Sequence, residues 1–142
     1  MKSHLFLAMY TVLPALLSGC GKTTTINSNM ELTGKWKLES IVQGSDTISR
    51  PQPAKGVMEI GVNFKEKGEL EATSSTNYLT GSYEIAQQNT IQIGGGGTER
   101  AETKWGNLFV NALPNVNLYE LKPNRLILYY DDNNQLIFNR AQ

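Results

Sequence analysis

Cys20 is the only cysteine among the 142 residues and His4 the only histidine. Beyond position 20 the chain therefore has no thiol and no imidazole. That excludes Ser-His-Asp and Cys-His nucleophilic catalysis, histidine acid–base chemistry and zinc sites of the Cys/His kind. An enzyme built on this segment would need carboxylates, lysine or tyrosine. Glu69 with Glu71, or Glu99 with Glu102, could form the paired carboxylates of a glycoside hydrolase. Glu69 and Glu71, however, share the polar face of a segment whose Leu70 and Ala72 point the other way, so solvation is expected. Asp131-Asp132-Asn133-Asn134 offers oxygen ligands to calcium without the spacing of an EF-hand loop. It reads as a solvated turn. Backbone amides of Gly94 to Gly97 could cradle an anion ahead of a helix, but no lysine or arginine directly follows and a flexible linker is the expectation. Gly21-Lys22-Thr23 has the ending of a phosphate-binding loop, yet the loop's first glycine would fall on Leu16. No cofactor and no metal are expected.

The chemistry that the sequence does carry is covalent attachment. Met1-Lys2-Ser3-His4 is a short basic start, Leu5 to Leu17 is almost unbroken apolar sequence, and small residues lead into Cys20. This is the layout of a secretory signal, and the apolar run is too short to span a bilayer. Leu17, Ser18, Gly19 and Cys20 resemble the bacterial lipobox at every position. The resemblance implies diacylglyceryl transfer to the Cys20 thiol, cleavage before Cys20 and acylation of the new amine. Each buried methylene contributes about 0.8 kcal/mol, so two or three acyl chains hold a protein at a membrane that one holds only marginally. Gly21, rather than an aspartate, follows the cysteine. In the bacterial sorting rule this resembles an outer-membrane destination.

Removing residues 1–19 leaves 123 residues, enough for one domain with its own core. The full chain has 13 basic and 13 acidic residues, and loss of Lys2 leaves 12 against 13. A near-neutral domain lacks the basic footprint of a nucleic-acid binder. Residues 20–30 are small and polar and read as a lipidated flexible linker.

Elements follow from residue 31 onward. Leu32, Gly34, Trp36, Leu38 and Val42 alternate with Thr33, Lys35, Lys37 and Glu39, which predicts a half-buried strand. Gly44-Ser45-Asp46 ends it, and Pro51 with Pro53 keeps the next segment irregular. Met58, Ile60, Val62 and Phe64 alternate into the turn Lys65-Glu66-Lys67-Gly68, and Glu69 to Thr73 returns as a hairpin. Tyr83 and Ile85, then Ile91 and Ile93, predict two strands around Gln87-Gln88-Asn89. The four glycines at 94–97 are expected to break the β pattern. Thr98 is then the expected N-cap of an amphipathic helix carrying Ala101, Trp105, Leu108, Phe109, Ala112 and Leu113 on one face, with Pro114 as its stop. Gly106 would cost that helix about 1 kcal/mol relative to alanine. A three-strand meander through Tyr119, Leu128 and Phe138 closes the chain. The fold class is α+β: an antiparallel sheet or open barrel of seven to eight short strands with one helix packed on it.

The closing residues Leu113, Val116, Tyr119, Leu121, Leu126, Leu128, Leu136 and Phe138 are similar to the L-x-x-V-x-x-Y-x-L…L-x-L…L-x-F pattern of the META domain, the HslJ-like family of bacterial envelope proteins. Asn77, Gly81 and Tyr83 resemble its G-C-N-x-Y-x-G-x-Y segment, Thr98 with Ala101 its T-x-M-A-C segment, and Leu32, Gly34, Trp36 and Leu38 its opening. The resemblance runs from Glu31 to Arg140. Thr76 and Glu102 stand where the family often has two cysteines, and Leu79 replaces a tyrosine. Losing both cysteines together is expected of residues that pair when present, so no redox or cross-link role carries over. The family implies an envelope setting linked to stress responses and no defined activity.

The expected organisation is thus a signal peptide over 1–19, a lipidated linker over 20–30 and a META-like domain over 31–142. The expected function is that of a non-enzymatic, monomeric accessory protein of the bacterial envelope. It is held by lipid on Cys20 to the outer membrane, faces the periplasm and acts on an envelope protein through contacts of its exposed tyrosines, asparagines and threonines. One alternative is a lipocalin-like binder of a small apolar ligand, suggested by the Gly34-Lys35-Trp36 triplet. That reading requires an open apolar interior with the Trp105 helix outside it. A histidine-free hydrolase using acidic residues is the third.

Overall fold

The computed structural model describes residues 31–142. The signal, Leu17 to Cys20 and the linker lie outside the described residues.

From Gly34 onward the described residues form nine strands and one α-helix in order: β1 (Gly34–Gln43), β2 (Asp46–Ser49), β3 (Gly61–Phe64), β4 (Glu69–Thr73), β5 (Tyr78–Ile85), β6 (Ile91–Gly97), α1 (Lys104–Ala112), β7 (Val116–Lys122), β8 (Arg125–Tyr130) and β9 (Asn134–Arg140). All pairs are antiparallel, in the order β6-β5-β4-β3-β1-β9-β8-β7. The ten residues of β1 take β3 along their first half and β2 along their second, with β9 on the other edge. A bridge from Thr90 to Leu118 brings the two ends of the sheet together. The result is a sheet curled most of the way round a core, with α1 contributing Trp105, Phe109 and Ala112 to that core.

The expected α+β class holds, with three corrections to the strands. The segment after Gly44 forms β2, whose four residues pair with Ser40 to Gln43. Glu39 is an extra residue on β1 opposite β9, a bulge that reverses the alternation. Ile41 rather than Val42 therefore reaches the core, fully buried. The glycines at 94–97 do not break the β pattern: they are the second half of β6, paired with Leu79 to Ser82. A Cβ built on Gly81 would lie 1.9 Å from the Gly94 carbonyl oxygen, and one on Gly95 2.4 Å from that of Thr80. At these two positions the facing backbones approach so closely that only glycine fits.

Helix α1 starts later than the apolar spacing predicts. Thr103, not Thr98, is its N-cap and accepts a hydrogen bond from the Gly106 amide at 3.1 Å. Ala101 lies exposed ahead of the helix. Gly106 is required rather than merely tolerated, since a Cβ there would sit 2.2 Å from Ser75 Oγ. Pro114 follows in a short 3-10 turn, Leu113–Asn115, that leads into β7.

The two ends of the domain are tied by one side chain. Arg140 donates to the Glu31 carbonyl at 2.6 Å and the Thr33 carbonyl at 3.2 Å, and its guanidinium lies 4.1 Å from the centre of the Trp36 ring. Trp36 Nε1 in turn donates to the Leu32 carbonyl at 2.8 Å.

Candidate functional site

The carboxylate pairs expected from sequence take different paths. Glu69 and Glu71 lie exposed on the outer face of β4. Glu71 is bonded by Lys65 and accepts a long hydrogen bond of 3.4 Å from Asn63. The Lys65 bond holds its carboxyl below the ordinary range and lifts the Lys65 ammonium. Glu99 is exposed while Glu102 turns inward, so those two do not form a pair. Asp131 to Asn133 all have positive φ and make the β8–β9 turn, where Asn134 Oδ1 accepts from the Gly44 amide at 2.9 Å. Among the described residues no three His, Cys, Asp or Glu side chains gather as metal ligands.

What the sequence reading missed is a polar junction between the β4–β5 turn and the segment entering α1. Ser74, Ser75 and Asn77 are the buried polar residues of the described chain. Ser74 Oγ, Ser75 Oγ and Asn77 Nδ2 all donate to the Glu102 carboxylate. Asn77 also donates to the Arg100 carbonyl at 2.8 Å and accepts from the Arg100 amide at 2.8 Å and the Thr98 hydroxyl at 2.7 Å. Both amide donors and both lone pairs of Asn77 are thus satisfied. Ser75 Oγ accepts from the Thr103 amide at 2.9 Å, and Thr76 Oγ1 donates to the Ala101 carbonyl at 2.9 Å. Burial pushes the Glu102 carboxyl up, but the bonds from Ser74, Ser75 and Asn77 together outweigh it and hold it below the ordinary range. The junction ties the chain between β6 and α1 to the sheet.

The outer face of the sheet carries the largest cavity described, a groove of about 570 Å³. Two cross-strand rows line it. Lys35, Asn63, Glu71 and Thr80 are register partners in turn, as are Lys37, Gly61, Thr73 and Tyr78. Gly61 leaves a gap in the second row, and a Cβ there would lie 2.5 Å from the Trp36 carbonyl oxygen. Lys37 pairs with Glu59 at 2.9 Å. Tyr78 is 63% exposed, the most open large hydrophobic residue among those described. It also borders a second cavity, of about 370 Å³, with Met58, Thr76 and Arg100. The signal for Tyr78 was present in the sequence: an aromatic on the polar face it shares with Thr80, Ser82 and Glu84.

The interior is a different matter. Trp36, Phe64, Phe109 and Phe138 fill it with Leu32, Leu38, Ile41, Ile91, Leu126, Leu128 and Leu136, all essentially inaccessible to solvent. The one space described beside them, near Leu70, Ile93, Val110 and Leu113, measures about 50 Å³. Helix α1 lies within the core cluster, not outside a hollow barrel. This arrangement excludes the lipocalin-like apolar cavity, because packed side chains occupy the volume a ligand would need.

A model of the META domain matches residues 28–142. The chain belongs to the META domain family. Two solved structures are similar to this META domain. One is a DUF4847 family protein from Bacteroides vulgatus ATCC 8482, 17% identical, with a TM-score of 0.59 over 77% of this chain and 93% of its own. The other is a protein from Burkholderia xenovorans solved by NMR, 20% identical, with a TM-score of 0.61 over 100% of this chain and 99% of its own. At such identities the likeness concerns the fold alone. No curated protein matches. In this META domain Thr76 and Glu102, the positions where the sequence resemblance puts cysteines, fall on opposite sides of the polar junction. Hydrogen bonds therefore join here the two segments that carry those positions.

Proposed function

We propose that this META domain protein is a lipid-anchored accessory factor of the bacterial envelope. It is held to the outer membrane through Cys20, faces the periplasm and acts by protein contact without catalysis. A role linked to envelope stress follows from the family resemblance. The observation that carries the reading is the tetrad Leu17-Ser18-Gly19-Cys20 placed just ahead of the matched residues 28–142. A folded unit preceded by a lipidated cysteine works where it is tethered, and the chain's even balance of 13 basic and 13 acidic residues leaves attachment to lipid rather than to charge.

Radiolabelled palmitate fed to cells expressing the full chain tests the anchor. Label should enter the wild-type protein, disappear in Cys20→Ala, and leave that variant in the soluble fraction. Incorporation that survives the substitution would overturn the anchor. In-cell crosslinking with mass spectrometry tests the contact role, which fails if no envelope protein is recovered with the wild-type chain.

A further inference from the structure

Lipid anchoring and protein contact leave the groove on the outer face of β3, β4 and β5 without a role. Its chemistry narrows what it can hold. The charged side chains that line it, Lys35 and Lys37 against Glu59 and Glu71, balance, and Lys37 is paired with Glu59, so the groove carries no net charge to select a phosphate or another anion. Its exposed surface is largely apolar with lysine, asparagine, threonine and glutamate side chains set around it, and it is an open groove rather than the enclosed tunnel an acyl chain needs. Both β3 and β4 are central strands whose backbone groups are engaged on either side, so no peptide strand can be added there. What remains is a set of side-chain donors and acceptors from lysine, asparagine, threonine and glutamate beside one exposed aromatic ring.

That combination matches a sugar. Hydroxyl groups both donate and accept, while the C–H face of a pyranose is apolar and lies well on an aromatic ring. The groove's volume, about 570 Å³, is in the usual range for small-molecule sites. Tyr78 borders cavities on two sides, so a chain of sugars could run past it from the larger space toward Met58 and Thr76. We propose that this face, with Tyr78 as the stacking platform and the gap at Gly61 as the floor, binds an uncharged oligosaccharide.

The test is a titration of the isotope-labelled full chain, in zwitterionic micelles free of sugar headgroups, with chitotetraose and with cellotetraose. Amide shifts confined to residues 59–63, 71–73 and 78–80 are expected with at least one of them. Binding of chitotetraose alone identifies an acetamido sugar, and binding of cellotetraose a plain hexose. Tyr78→Ala should weaken binding roughly tenfold, Tyr78→Phe should keep it within about twofold, and Glu84→Ala, on the same face of β5 beyond the groove, should leave it unchanged. The proposal is overturned if neither sugar shifts these amides up to about 10 mM, if the shifts lie elsewhere, or if Tyr78→Ala binds like wild type.

Discussion

At the scale of the residue, the most consequential side chain is Glu102. Its carboxylate collects bonds from Ser74, Ser75 and Asn77, two of which come from fully buried serines. Removing the acceptor strands those donors, and an unsatisfied buried polar group costs about 1–3 kcal/mol. Glu102→Gln should therefore lower the urea midpoint at pH 7. It should also flatten the acid limb of stability. Because the folded carboxyl titrates below its ordinary value of 4.5, its contribution is full above that pH and is lost as pH falls through the folded value. Glu71, held down by Lys65, and Glu120, held down by Lys122 and Tyr129, follow the same sign. The acid limb of the variant should thus be shallower, not absent, and an unchanged limb would deny Glu102 this role. Arg140 is the second such residue, since it caps two carbonyls and covers Trp36. Arg140→Ala should cost about 1–3 kcal/mol and shift tryptophan emission to the red, as read by denaturation and fluorescence.

At the scale of the element, pattern and packing contribute separately. The hairpins β3–β4 and β5–β6 and the meander β7–β9 appear where period-2 alternation and polar turns place them, because each strand sorts its side chains between core and water. Helix α1 follows its apolar stripe but begins five residues after the expected Thr98 cap, at Thr103. Asn77 and Glu102 tie residues 98–102 to the β4–β5 turn and out of the helix, and no local propensity reports a bond to a turn twenty-odd positions away. The glycine run shows the same limit. Glycine is a poor strand former in isolation, yet at Gly81, Gly95 and Gly97, where a Cβ would run into the facing backbone, it is the one residue that fits. Gly81→Ala should destabilise the fold by about 1–3 kcal/mol, measured by chemical denaturation, as overpacking does. Alanine at Gly94, where a Cβ meets nothing within 4 Å, is the matched control and should be close to neutral.

At the scale of the whole molecule, the curled sheet and α1 enclose one packed core rather than a container. Fatty acid added to the protein should leave the emission of Trp36 and Trp105 unchanged, since both rings are already buried among side chains. Saturable quenching would mean that the interior opens. The surfaces left for recognition are external, and the largest described is the groove beside Tyr78. A filled interior and an open outer groove suit a module that works through surface contact.

The sequence by itself determined what the order of residues can encode locally: the lipobox resemblance at Cys20, the scarcity of imidazole and thiol, the strand alternations, the single amphipathic helix and the family pattern. Tertiary structure alone decided which glycines are obligatory, where α1 begins, that Glu102 faces inward to two serines and an asparagine, and that Tyr78 stands beside a groove. The reason is range. Periodicity and turn chemistry act between neighbours in the chain, whereas a forbidden Cβ, a saturated asparagine or a cavity depends on atoms that only the folded sheet brings together.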